Sequence, residues 1–166
     1  YAKIKKLEAL GSRVLYLEAD VCDVAQMKEC LAEVKAHFGP IHGLLHAAGV
    51  LGSGSIYTNS RADFERIVAP KITGTLVLDE LLRDEPLEVV CYFSSTSAIY
   101  GDFGSCDYSV ANRFEMAYGS YQARLGHKAS VICWPLWKEG GMKPLNAEST
   151  HLYLKSSGQR MLETCE

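Results

Sequence analysis

No stretch of the sequence approaches the ~20 consecutive apolar residues that a membrane-spanning helix needs, and neither sign of charge is in large excess. Seventeen Lys and Arg stand against twenty Asp and Glu, a formal net charge of −3 with a pI near 6.0. That balance carries no electrostatic footprint for nucleic acid or for an anionic membrane surface. The opening Tyr1-Ala2-Lys3-Ile4-Lys5-Lys6 has basic residues but no apolar core or cleavage site behind them, so it does not read as a signal peptide. The six cysteines include no C-x-x-C pair, and no two histidines stand at zinc-ligand spacing, so no metal site is expected. Cys30 sits on a helical pattern, and Cys91 and Cys133 lie in apolar runs. They read as small core hydrophobes in a reducing compartment, with the cytoplasm as the default. Internal repeats, low-complexity tracts and linkers are absent. So is a glycine-rich G-x-G-x-x-G, because Gly49-Val50-Leu51-Gly52-Ser53-Gly54 has the wrong spacing.

What remains is an ordinary folding composition. Hydrophobic residues make up 48% and charged residues 22% of 166 residues, which fits one globular domain. Helix-like and strand-like patterns alternate along it. Ile4, Leu7 and Leu10 fall at helical spacing before Gly11, and Val14–Leu17 is a short apolar strand ending at Glu18-Ala19-Asp20. Asp23 with Gln26 three positions later opens a helix through Val24, Met27, Leu31, Val34 and Phe38, closed by Gly39-Pro40. Residues 41–46 form a second strand. Ser60-x-x-Asp63 opens a long helix to about Asp84, with a kink at Pro70. A third strand runs from Leu87 to Phe93, a helix from Asp107 to Leu125 with Gly126 as its stop, and a fourth strand from Ala129 to Trp134. A loop after Gly140-Gly141 then leads to a short helix over roughly 149–164. Strand–helix–strand units with such long connections imply parallel strands covered by helices, an α/β doubly wound sheet.

In that architecture the ligand crevice lies beyond the carboxyl ends of the strands. Asp20-Val21, His46–Val50, Ser94–Ser97 and Trp134–Trp137 fall there by chain position. The small residues Ala47-Ala48-Gly49 would let backbone approach a flat ligand, although a bland strand-to-loop turn would look the same. Lys71 breaks the long helix's apolar stripe of Phe64, Val68, Thr75, Leu78 and Leu82. A buried ammonium there needs a partner, unless its stem snorkels out at the helix edge. Tyr108 and Asn112 stand one turn apart at a helix start and share a face, a pattern that core packing also produces.

Taken together, these residues resemble the ketoreductase domains of modular polyketide synthases, a branch of the short-chain dehydrogenase/reductase superfamily. His46-Ala47-Ala48-Gly49-Val50 is similar to the family's HAAGV, and Pro70-Lys71-Ile72-Thr73-Gly74-Thr75 to its PKvxGT helix. Phe93-Ser94-Ser95 is similar to its FSS strand end, and Tyr108–Asn112 to its YxxxN helix. The Lys-to-Ser step is 24, the Ser-to-Tyr step 13 and the Tyr-to-Asn step 4, as in that family. Most of the superfamily carries lysine where Asn112 stands. Here the lysine comes from the preceding helix instead.

The resemblance implies reduction of a β-ketoacyl thioester by hydride from NADPH. The acyl chain would ride on the phosphopantetheine of an acyl carrier protein, among other synthase domains. Tyr108 would donate the proton and Ser95 would hold the carbonyl oxygen. Lys71 would supply the cation that tunes the tyrosine and would hold the nicotinamide ribose, with Asn112 supporting the lysine or a relay water. Asp20 and Val21 would flank the adenine, Ala47, Ala48 and Gly49 would line the cofactor, and the backbone of Pro135 and Leu136 after Trp134 would meet the carboxamide. The tail from about 139 is similar to the start of a substrate lid.

Two departures qualify this. The glycine-rich phosphate loop of the family lies in a first strand–helix–strand unit that this chain does not show. In the order 3-2-1-4-5-6 the two strands of that unit separate Val14–Leu17 from Ile41–His46. The expectation is therefore a piece of a longer reductase, lacking an N-terminal segment and the last edge strand. Alone it would bind cofactor weakly and fold only with a partner. Secondly, Gly52-Ser53 replaces the Asp pair that many relatives of one stereochemical class carry after HAAGV-Leu. This leans toward the L-configured class, but no tryptophan marker precedes Tyr108 and the hand stays open. Two alternatives remain: a non-catalytic reductase-like scaffold, which has no use for a lysine in an apolar stripe, and a short-chain reductase for a free small molecule.

Overall fold

The computed structural model describes residues 2–52, 55–102, 104–139, 142 and 147–163. Expectations about Ser53, Cys165 and the tail at 140–141 and 143–146 fall outside the described residues.

Helix starts follow their side chains. Asp23 accepts hydrogen bonds from Ala25 N and Gln26 N, while the Gln26 amide returns to its other oxygen at 2.9 Å, and α2 runs Val24–Phe38. Ser60 Oγ accepts from Asp63 N at 3.1 Å and starts α3, Arg61–Leu81, which is helical on both sides of Pro70. Gly11, Gly39 and Gly126 stand at φ of 82 to 89°, the left-handed region that lets a helix stop. They follow α1 (Ala2–Ala9), α2 and α5 (Cys106–Arg124). Strand β1 is Gly43–His46, β2 is Val89–Ser95 and β3 is Ala129–Trp134. A one-turn helix, α4 (Ser97–Tyr100), follows β2, and α6 is Ala147–Ser157. The sequence pattern holds no signal for α4, which is too short to show a period.

The three strands are parallel in the order β1-β2-β3, with Leu45 beside Cys91 and Phe93 beside Ile132. Helices α3 and α5 pack on each other, and α5 also lies on β2 and β3. The core between them is Ile67, Val68, Val77, Leu78 and Leu82 of α3 and its C-cap with Cys91, Tyr92 and Ala111. Gly119 of α5 is where helix meets sheet most closely. A Cβ there would overlap Val131 Cγ2 and stand 3.1 Å from the Tyr92 ring. Gly119→Ala is therefore expected to destabilise by ~1–3 kcal/mol despite alanine's better helix propensity. A lower denaturation midpoint checks it, and an unchanged midpoint would show that the helix can lift.

Two expectations are corrected. The last helix, expected to reach about 164, ends at Ser157, where Gly158 at φ 69° stops it. Val14–Leu17 is not a strand, because extended backbone becomes one only through a hydrogen-bonded neighbour and none of the described residues supplies it. Tyr16 is 72% exposed, and Leu45 of the edge strand β1 is 66% exposed. The helices α1 and α2 form as expected, but neither buries a residue fully, and Leu7 and Leu10 remain exposed. Helical period reports local conformation, whereas burial needs a surface to pack on.

Candidate active site

Because the strands are parallel, His46, Ser95 and Trp134 end at one edge of the sheet. The chain then turns into the Ala47–Gly49 loop, α4 and the Pro135-Leu136 segment, and α5 begins beside them. Four residues expected to act together do converge, in two groups.

The first group is the phenol. Tyr108, half-buried at the start of α5, has the side chains of Ser95 and Asn112 within hydrogen-bonding reach. Burial pushes its pKa up. Those two side chains pull it down, and the carboxylates of Asp102 and Glu115 push it up again. Ser95 Oγ accepts from Ser97 N at 3.2 Å, which leaves its own O–H free to donate. Asn112 is fully buried. Its Nδ2 donates to the Tyr108 carbonyl at 2.8 Å, Ser94 Oγ donates to the Asn112 carbonyl at 2.9 Å, and Asn112 Oδ1 makes no hydrogen bond. The helix start itself is pinned. Asp107, fully buried, accepts from Asn59 Nδ2 and from Tyr108 N at 2.7 Å, and a Cβ on Gly52 would stand 2.7 Å from its Oδ1. Only glycine lets that loop close on the base of Tyr108.

The second group is the lysine. Lys71 is 4% exposed and does not snorkel. Its Nζ donates to the Phe93 carbonyl at 2.7 Å and to Glu115 Oε2 at 2.8 Å. Glu115 in turn places Oε1 3.5 Å from His46 Nε2. Burial raises Glu115 to about 7, against the pull of Lys71, and burial followed by the Lys71 charge lowers His46 to about 4. The lysine expected to tune the tyrosine is thus matched first by a buried carboxylate. Sequence reading asked for that partner without finding it. The signal was there, since Glu115 lies seven residues after Tyr108 and three after Asn112 on one face of α5.

The other expected residues line this edge in part. A Cβ on Gly49 would stand 3.2 Å from Lys71 Cε and 3.1 Å from Met142 Cε, so the Ala-Ala-Gly loop does lie against the lysine. Val21 packs on Gly74, one turn beyond Lys71 on α3, where a Cβ would come within 2.7 Å of it. Asp20 is engaged in the turn before α2, its Oδ1 accepting from Cys22 N at 2.9 Å. Leu136 accepts from Leu162 N through its carbonyl at 2.8 Å. Beyond α6, Gln159 Oε1 accepts from the Thr96 hydroxyl at 2.9 Å, and Tyr153 of α6 stands 3.2 Å from that hydroxyl, so the tail docks next to Ser95. A cavity of about 560 Å³ opens between Tyr100–Asp102 and Tyr153–Ser157.

A buried lysine, a serine at a strand end and a YxxxN helix start thus occupy one end of a parallel sheet, and the KR domain family model matches residues 1–139. The chain belongs to the KR domain family. Polyketide synthase PksM of Bacillus subtilis (strain 168) is 50% identical to this KR domain chain over 165 residues, which is 99% of this chain and 4% of PksM. A crystallised ketoreductase domain from the bacillaene assembly line superposes with a TM-score of 0.88 at 32% identity, covering 99% of this chain and 40% of that one. The PlmKR1 ketoreductase from the first module of phoslactomycin biosynthesis in Streptomyces sp. HK803 gives 0.85 at 29% identity, covering 96% and 36%. The chain therefore spans a small part of the synthases it matches and less than half of the ketoreductase chains.

Proposed function

We propose that this KR domain reduces the β-ketone of an acyl thioester, carried on the phosphopantetheine arm of an acyl carrier protein, with NADPH as reductant. The observation that carries this reading is the Tyr108 phenol within reach of the Ser95 and Asn112 side chains at the carboxyl end of the sheet. The similarity to a polyketide synthase and to two ketoreductase domains supports it.

The described residues suit the nicotinamide end of the cofactor. Gly49 has no room for a side chain against Lys71, which fits close backbone approach of a flat ring, and the buried Asn112 Oδ1 is an acceptor without a donor. Lys71 would hold the ribose with the ammonium donor that Phe93 and Glu115 leave over. Ala47, Ala48, Pro135 and Leu136 would border the ring, and Asp20 and Val21 the adenine end. No phosphate cradle lies among the described residues, and the nicotinamide supplies the hydride when bound.

The chain's own residues then handle the oxygen. Ser95 donates a hydrogen bond to the ketone, stabilising the charge that develops there. Tyr108 is protonated at neutral pH, because burial raises its pKa, and it delivers its proton to the nascent alkoxide. The segment from 139 onward, with α6 at Thr96, would close over the acyl chain, whose arm would enter by the cavity beside Asp102.

The test is reduced-cofactor consumption by the full-length polypeptide given a β-ketoacyl thioester on its carrier protein, with NADPH and NADH in parallel. Oxidation that requires the ketone and prefers NADPH supports the reading. A folded protein that binds NADPH and leaves the ketone untouched overturns it.

A further inference from the structure

Three ionisable side chains meet behind the phenol with almost no access to solvent: Glu115 at 0%, His46 at 2% and Lys71 at 4% exposure. One carboxylate oxygen of Glu115 is used by Lys71. The other, Oε1, lies 3.5 Å from His46 Nε2, and neither of those two atoms makes a hydrogen bond. The Pro70 backbone also faces the His46 ring, and a neutral imidazole that donates to it from Nδ1 keeps its lone pair on Nε2. Two lone pairs facing each other in a buried site are both unsatisfied, whereas a single proton between them satisfies both.

We propose that His46 and Glu115 share one buried proton and act as positioning residues that set the charge felt by Tyr108. This rests on the ketoreductase reading above for its consequence, though not for the proton itself. With the proton present, Glu115 is neutral and the Lys71 ammonium stands uncompensated. With it gone, the pair Lys71–Glu115 is neutral, and the carboxylate makes Tyr108 a weaker acid. The groups facing Glu115 are Lys71 from α3, His46 from β1, Tyr92 from β2 and Tyr108 from its own helix. Burial raises both phenols, so they stay neutral through the range in which Glu115, raised to about 7, changes charge.

Turnover by the full-length polypeptide is then expected to fall roughly three- to ten-fold as pH rises from about 6 to about 8, the effect of weakening a general acid. Glu115→Gln, isosteric and uncharged at every pH, is expected to remove that dependence. A purely structural Glu115 would instead lower the rate at all pH values and leave the slope intact, which would overturn the proposal.

A second readout is independent of activity: hydrogen exchange of α5 peptides in the same polypeptide, corrected for intrinsic rate. Glu115, raised from 4.5 to about 7, contributes stability that is present below pH 4.5 and lost as pH rises through 7. His46, lowered from 6.5 to about 4, contributes stability that is present above pH 6.5 and lost as pH falls through 4. The two trends oppose each other in wild type. Relative to it, protection in Glu115→Gln should rise with pH over 4.5–7, and protection in His46→Asn should fall over 4–6.5. Curves parallel to wild type would show that no shared proton exists. Should His46→Asn not fold, the sign of the Glu115→Gln curve decides alone. Wild type inactive on the ketoacyl thioester would sink the ketoreductase reading and leave exchange to judge the proton.

Discussion

Tyr108→Phe is expected to lower ketone-dependent NADPH oxidation by about 10²–10⁴-fold, the usual worth of a positioned general acid. The ring stays and only the hydroxyl goes, so packing at the start of α5 should change little. What is lost is the hydroxyl proposed as proton donor, which lies within reach of Ser95 and Asn112. Substrate and cofactor affinity should stay within a few-fold, because binding the ground state does not need the proton. The diagnostic result is a collapse in kcat with KM nearly unchanged. Full activity in a folded Tyr108→Phe protein would place the proton donor elsewhere and remove the observation on which the functional reading stands.

Lys71→Met should do two separable things. It removes the cation from the site, and it leaves the fully buried Glu115 without its partner. An uncompensated buried carboxylate costs about 3–5 kcal/mol, although Glu115 relieves part of this by taking up a proton. Lys71 now pulls the Glu115 pKa down, so its removal lets that pKa rise further. The sign follows from linkage: the variant is least destabilised in mild acid, where Glu115 is protonated, and increasingly so as pH rises. Adding Glu115→Leu removes the stranded charge and should recover most of the denaturation midpoint. It should not recover turnover. If the double variant is as unstable as Lys71→Met alone, the ion pair is not what the fold misses.

The Lys71 result separates what the chain order shows from what it hides. Local structure was legible because its causes are local. Asp23 with Gln26 and Ser60 with Asp63 cap their helices through hydrogen bonds spanning two or three residues, and both helices begin where those residues say. Lys71 was visible as a flaw in an apolar stripe, and the YxxxN spacing placed Tyr108 and Asn112 on one face. The short helix α4 was not legible, since four residues carry no periodicity. Nor was the fate of Val14–Leu17, whose apolar run finds no strand to pair with among the described residues.

The sequence by itself determined the parallel α/β class, the bounds of α1, α2, α3, α5 and the three paired strands to within a few residues, and it singled out Tyr108, Ser95, Asn112 and Lys71 as candidates. Only the tertiary structure decided which carboxylate answers the lysine and which imidazole answers the carboxylate. His46, Lys71 and Glu115 are 25 and 44 residues apart along the chain, on β1, α3 and α5. Their protonation depends on burial and on separations of 2.8 and 3.5 Å. Electrostatic energy in a poorly solvated interior is set by such distances, and distance between remote residues exists only once the chain has packed.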